Sequence, residues 1–595
     1  MSGIARWIRH ALVLIVFVAA AVLVFSAAWK APATTIIGVG GDPLLAIWFM
    51  RWVPFAISHG FNPLLTDYLD YPQGVNLMWN TAAPLLGLVF WPVTDRFGPI
   101  VAYNLAETLA LASSAWLAYL AFGRYIGSTV AAAVGGLLFG FSPYMISHSL
   151  GHPSLTVAFT VPLMLLLFDD LFVRQRRPVL VVGGLLGLLA VTQLLISEEL
   201  LAAEAIIVLA GVAILAALHR DLVRPKVPYA AKALGSAAAV FLLLAAVPLA
   251  FQFFGPRRVT GSVWGINSYV SDLLSFIVPT RLQALAPPAA FQLSDHFSAN
   301  VYEWSAYLGL PLIGVLAFAA LRHGRRDVVR FAVLMAGFIA LLSMGPLLNV
   351  AGHTTPIPVA ALVLGLSPVI TRVTHSRLLV WAFLLLWATL ALAPIANDLL
   401  PGRLTIFLFL FGGLLVATLL QQAPSEPRAR IAVIGLTLLA LIALLPRQPF
   451  PSTPAPLPSF MTSSAVNQIP EGSVALVAPF AYDWRLTDLM LWQAESGMRF
   501  RMPEGFVWIP GPSHTPLPSP LGDAMAKIAT GKGPVPVSDA TRQDLRNDLD
   551  RWRVSSVLVG PMAHRDQMIG FFSDLIGRPP VENGGVYLWL GLGSP

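Results

Sequence analysis

The chain has 595 residues, of which 56% are hydrophobic and 11% charged, a formal net charge of +7 and no cysteine. So few charges, against about 25% in soluble domains, exclude an ordinary globular protein, and the missing cysteines exclude disulfides and thiolate metal sites. Lys and Arg sit in short clusters between apolar runs, not in one basic stripe, which reads as a topology signal and excludes nucleic acid as a partner.

Apolar runs close to the ~20 residues that cross a bilayer recur from the N-terminus to about residue 446. Lipid offers no partner to free backbone N–H and C=O groups, so these runs are predicted to be helices. Arg6 and Arg9 precede the first run, 11 to 29, which resembles a signal sequence ending near "APA". Its length and the spans that follow favour a retained anchor. With basic loops placed in the cytoplasm, the N-terminus is inside and residues 30 to 99 form a long outer loop containing Asp42, Asp67 and Asp70. Within it, "AAPLLGLVFWPV" (82 to 93) is too short to span and is predicted to lie at the membrane surface.

Spans are predicted near 100 to 122, 128 to 146 and 155 to 172, with Arg124 and the cluster "VRQRRP" inside. The segment "FSPYMISHSLGHPS", carrying His148 and His152, then lies on the outer side. Spans near 179 to 196 and 200 to 218 bring Glu198 and Glu199 to the same face. After "HRDLVRPK" inside, a span 231 to 254 leads to an outer loop with Arg257, Arg258, Trp264, Asp272, Arg281, Asp295 and His296, a candidate acceptor pocket or a solvated cover. Spans 305 to 322 and 331 to 349 flank the basic turn "RHGRRDVVR". Beyond residue 350 two assignments compete. Either Arg372 and Arg377 are outside and 378 to 396, 403 to 420 and 429 to 446 are the last crossings, or "PIPVAALVLGLSPVI" also crosses and the C-terminus is outside. The total is about 12 to 13 transmembrane helices. Residues 447 to 462 are a Pro-rich linker, and 463 to 595 have ordinary polarity, with "SVALVAPF", "VSSVLVG" and "GGVYLWLG" predicted as strands of a small α/β domain.

Polar residues therefore gather at one face: Asp42, Asp67, Asp70, His148, His152, Glu198 and Glu199. Any one of them is explained by solvation; the set on one face points to a site. Asp42 follows two glycines, precedes a proline and opens a Trp/Phe-rich stretch, a geometry for holding a carboxylate at a helix start. His148 and His152, four apart, could bind a metal with nearby carboxylates, or serve as caps or substrate contacts; the Gly and Pro around them oppose one regular helix.

An N-terminal span, a long outer loop running through "GGDP", "FNPLL" and "DYPQG" to a surface helix, and then short-looped spans resemble the GT-C superfamily of integral-membrane glycosyltransferases, as do "SHSLGHPSL", "SAYLGLPL" and "VTHSRLL". The resemblance covers roughly residues 1 to 450. It implies an all-α polytopic membrane enzyme that transfers a hexose or pentose with inversion, on the extracytoplasmic side of a bacterial inner membrane. The donor would be a polyprenyl-phosphate-linked sugar and the acceptor an envelope glycan, lipid or protein. It maps the reacting carboxylate onto Asp42. Read from the residues themselves, Asp67 and Asp70 are further candidates. His148, His152 and Glu198 would bind substrate, and Arg372 and Arg377, if outside, the phosphate. A divalent cation, Mg or Mn, is used by some members and not by others. A transporter or flippase of lipid-linked sugars, or a non-catalytic membrane scaffold, are the alternatives. Against a transporter, no internal repeat is apparent and the acidic residues gather at span ends.

Overall fold

The computed structural model describes residues 3–261, 264–265, 267–374, 376–392, 399–481, 484, 486–511, 513–514 and 518–593. His375 of the "VTHSRLL" piece and the end of the run 378 to 396 lie outside them. The chain is a mostly helical, multi-pass membrane protein with a small mixed sheet near its C-terminus. Among the described residues, seven helices are long and apolar enough to cross a membrane: Ile4–Val24, Pro99–Phe122, Thr129–His148, Pro153–Arg174, Glu198–Leu218, Arg220–Phe254 and Pro401–Gln421. The remaining predicted runs are also helical but shorter, among them Val179–Leu194, Gly309–His323, Asp327–Ser343, Arg377–Leu392 and Pro427–Ala443.

Two expectations change in detail. The run 331 to 349 is not helical to its end: the helix stops at Ser343, before Gly345 and Pro346, and Leu347–Val350 pairs with His353–Pro358 in a hairpin turned by Ala351 and Gly352 at positive φ. The hairpin takes the start of the run "PIPVAALVLGLSPVI", and the rest is the helix Val359–Thr374. The expected surface helix at 82 to 93 is two helices, Pro84–Val89 and Trp91–Phe97, because Pro92 suits a first turn and not an interior.

The chain divides into two compact units. The first comprises Met1–Trp29, Ala106–Ala246 and Ser262–Pro451. Its centre is the helix Thr405–Gln421, buried from Thr405 to Leu419. This helix meets Thr129–Gly140 at near-backbone distance: a Cβ on Gly135 would lie 2.5 Å from the Gly413 carbonyl oxygen, and one on Gly413 would lie 2.6 Å from that of Gly135. Such small-residue contacts suit helices that gain little from apolar burial in lipid. At the C-terminal end of Pro153–Arg174, buried Asp169 pairs with Arg124 at 2.9 Å and with Arg174 at 2.7 Å, so the charges there are compensated.

The second unit comprises Lys30–Leu105, Val247–Gly261 and Ser452–Pro595. Its four-stranded sheet runs in the order Val581–Asn583, Val586–Leu590, Val554–Val559, Val474–Ala478; the last pair is parallel and the others antiparallel. The three stretches predicted as strands are all in it. Helices Pro520–Ala529, Asp539–Arg551 and Arg565–Ile576 cover the sheet through Met525, Leu545, Phe572 and Leu575. Composition places a break along the chain at 447 to 462; in space, the early loop groups with the C-terminal segment. Thr35–Ile37 pairs with Ser452–Pro454, Met502 N donates to Tyr68 O at 3.0 Å, and Trp508 N donates to Asn80 Oδ1 at 2.8 Å. Gln493, fully buried, accepts from Trp48 and donates to the carbonyls of Tyr68 and Phe500.

Candidate active site

In the second unit, Asp42 is the first residue of the helix Asp42–Ser58, followed by Pro43, and is partly buried. A carboxylate there meets the positive end of the helix dipole. Gly41 in front of it is required by space: a Cβ would fall 1.7 Å from the Trp484 carbonyl oxygen, and the Gly41 carbonyl accepts from Thr487 Oγ1 at 3.3 Å. The C-terminal segment thus sets where Asp42 stands. Asp67, half-exposed, lies 3.2 Å from Arg501, whose guanidinium also covers the rings of Tyr68 and Tyr71. Asp70 is buried at positive φ and pairs with Arg257 at 2.8 Å, while Arg257 Nε donates to Gly74 O. These two carboxylates brace the loop.

In the first unit, five ionisable side chains from four stretches of chain converge. Ser197 caps the helix Glu198–Leu218, accepting from Leu200 N, and places both glutamates in its first turn. Glu199 accepts from Leu400 N at 3.1 Å and from Arg403 Nη1. Arg403 lies in the turn Pro401–Leu404 that opens the central helix, and its Nε donates to both Glu303 oxygens at 3.2 and 3.1 Å while Nη2 donates to Oε1. Glu303 is buried. Burial by itself would raise its carboxyl, but Arg403, and after it His148, overcome this and hold it down at about 2.

His148, fully buried, ends the helix Pro143–His148, and His152 precedes the short helix Pro153–Thr156, so the two are on separate helices and are nonetheless close. Their Nδ1 atoms are 3.3 Å apart. His148 Nε2 is 3.8 Å from Glu303 Oε2 and has no hydrogen-bond partner among the described residues. The ring of His148 also packs, tilted, against Tyr144, and that of His152 against Tyr302. Next to them, Thr156 donates to the buried Glu107 at 2.8 Å.

One ligand atom each of His148, His152 and Glu303 lies within 4.8 Å of the others. Bonds of about 2.1 Å put ligands on one ion at most about 4.2 Å apart, so a small inward rotation of the side chains completes the set. Glu199 and Glu303 against Arg403 leave one negative charge in excess when both imidazoles are neutral, and an orphaned buried nitrogen already points into the group. The residues therefore fit a divalent cation. Two imidazoles and a carboxylate suit Mn2+ or Zn2+ better than the all-oxygen preference of Mg2+.

Of the residues singled out in the sequence, the structure brings His148 and His152 together. Glu198 is in the first turn of its helix, while its neighbour Glu199 reaches into the cluster. Arg372 and Arg377 are exposed at the end of one helix and the start of the next; the arginine found with the acidic groups is Arg403. Sequence reasoning passed over Glu303 and Arg403. Arg403 did carry a signal, being a lone charge at the head of an otherwise apolar helix, a position that calls for a partner.

A family model described as Domain of unknown function (DUF6311) matches residues 12–423. No curated protein matches the chain by sequence. Among solved structures, it is similar to the archaeal oligosaccharyltransferase AglB from Archaeoglobus fulgidus in complex with an inhibitory peptide and a dolichol-phosphate, at 12% identity and a TM-score of 0.45 over 97% of this chain and 72% of that one. It is also similar to ArnT from Cupriavidus metallidurans bound to undecaprenyl phosphate, at 13% identity and a TM-score of 0.40 over 96% of this chain and 97% of that one. Both are GT-C membrane glycosyltransferases. At such identity neither lends a residue role to this chain.

Proposed function

The chain belongs to the DUF6311 family, and from that premise we propose that it is an inverting membrane glycosyltransferase of GT-C type. It moves a sugar from a polyprenyl-phosphate-linked donor to an envelope glycan, lipid or protein on the extracytoplasmic side of a bacterial inner membrane. The observation that supports this most is the cluster of His148, His152, Glu199, Glu303 and Arg403 at the ends of apolar helices. Buried charges in a membrane protein are costly and mark function by default.

Asp42 is the general base. It takes the proton of the acceptor hydroxyl as that oxygen bonds to the anomeric carbon, and the bond from that carbon to the phosphate oxygen breaks on the opposite face. The leaving group is already a stable anion, so it calls for positive charge and no acid. A divalent cation, when bound in the first unit, would supply positive charge to an anionic oxygen. His148, His152 and Glu303 would hold it. Arg403 grips Glu303 by both carboxylate oxygens and is itself held by Glu199, fixing the carboxylate's orientation, as second-layer partners do at metal sites. Asp67 and Asp70, tied to Arg501 and Arg257, keep the loop in place.

The test is sugar transfer from a panel of radiolabelled polyprenyl-phosphate sugars by the full chain in reconstituted membranes. Asp42→Asn is expected to lower turnover by a factor of about 10²–10⁴ with donor binding kept. Equal transfer by both proteins would remove Asp42 from the chemical step. Movement of donor across the bilayer without transfer would identify a flippase.

A further inference from the structure

A second buried acidic group lies deeper in the first unit and is not used by the proposed reaction. Glu204, in the helix Glu198–Leu218, is 1% exposed, and both its side-chain oxygens lack a hydrogen-bond partner among the described residues. Thr160 is close enough to act on the Glu204 carboxyl, but its hydroxyl hydrogen is directed to Gln193. Glu204 lines a small crevice of about 30 Å3, open on one side, whose walls include Phe168, Gly211, Phe331, Met335 and Phe407. The walls come from the helices Pro153–Arg174, Glu198–Leu218, Asp327–Ser343 and Pro401–Gln421, so the crevice lies within the apolar layer. A gap of this kind between helices of one unit would ordinarily be closed by larger side chains. Gly211 lets the rings of Phe168 and Phe331 approach its backbone, since an added Cβ would lie 3.2 to 3.4 Å from them.

An isolated carboxylate in such surroundings is far more costly than a neutral carboxyl. A neutral carboxyl has one O–H to donate and an oxygen to accept, and both are unused. Leaving them unmade in an apolar interior is expensive, whereas a ligand that brings a complementary group recovers the loss. No Lys, Arg or His is among the lining residues, so a phosphate head has no partner there. This separates the crevice from the donor's site.

We propose that the crevice is a binding site for the polar end of a membrane-soluble alcohol: its hydroxyl enters and exchanges hydrogen bonds with the Glu204 carboxyl, and its apolar chain leaves through the open side of the crevice. The ligand enters from the hydrocarbon phase. The assignment does not depend on the reaction proposed above.

Dicyclohexylcarbodiimide, a lipophilic reagent, adds the O–H of a protonated carboxyl across its C=N bond, and the adduct rearranges to a stable N-acylurea that mass spectrometry locates. The full-length protein in lipid nanodiscs is treated with it alone, with 1-decanol and with decane. We expect modification at Glu204, none at that position in Glu204→Gln, and protection by decanol at about fivefold lower concentration than by decane, the advantage of one net hydrogen bond. Gly211→Val, which fills the crevice and leaves Glu204 in place, should reduce labelling. Absence of labelling in the wild type would overturn the proposal, as would equal protection by alkane and alcohol. The competition on the wild-type protein needs no variant to fold.

Discussion

Replacing Glu303 by Gln tests the electrostatic logic of the cluster. The carboxyl of Glu303 is displaced from 4.5 to about 2, with burial acting upward and Arg403, then His148, acting more strongly downward. Lowering the carboxyl this far makes the ionised group worth about 3 kcal/mol to the folded state, at about 1.4 kcal/mol per tenfold change in the equilibrium. The side chain is 3% exposed, so solvent screening takes little from this figure. The sign follows from a folded-state value below the unfolded one: the stabilisation is complete above about pH 4.5 and is lost as pH falls towards 2. Glu303→Gln is nearly isosteric and leaves Arg403 paired with Glu199. Wild type and variant, unfolded thermally in the same detergent from pH 2 to 7, should differ by about 3 kcal/mol at neutral pH and converge at the acid end. A gap of constant size across the range, or no gap, would refute the assignment of Glu303 as the charge that Arg403 holds ionised.

Gly41→Ala should disrupt the second unit, because the new Cβ meets the Trp484 carbonyl oxygen at 1.7 Å and one backbone segment must move; a loss of about 3 kcal/mol or more is expected, read as a lower melting temperature and faster proteolysis of residues 30 to 105. Arg403→Lys retains the charge but not the fork that grips both Glu303 oxygens. It should weaken Mn2+ or Zn2+ binding by about 10–100-fold in equilibrium dialysis. Unchanged affinity would show that Arg403 does not orient the Glu303 carboxylate for a metal.

The membrane class, the positions of the apolar helices and the three core strands were legible because each depends on the sequence within one segment. A run without charges must satisfy its own backbone in lipid, and a short β-branched run bounded by turns has few other ways to be buried. The hairpin at Leu347–Val350 was not legible, since an apolar run does not reveal that Gly345 and Pro346 end its helix early. His148 and His152 could be paired by spacing, although the helix that would have explained the pairing is broken between them.

Glu303 and Arg403, a hundred residues apart, could not be joined in this way. Nor could Gly41 and Trp484, or Gln493 and the carbonyl of Tyr68. Composition alone determined the solvent in which this chain folds and where its helices run, because the cost of an unpaired backbone group in lipid is paid segment by segment. Which acidic group remains charged, which glycine admits a distant carbonyl and which histidines face one carboxylate were decided only by tertiary structure. Those energies depend on the separation of groups in space, and a separation in sequence does not encode it.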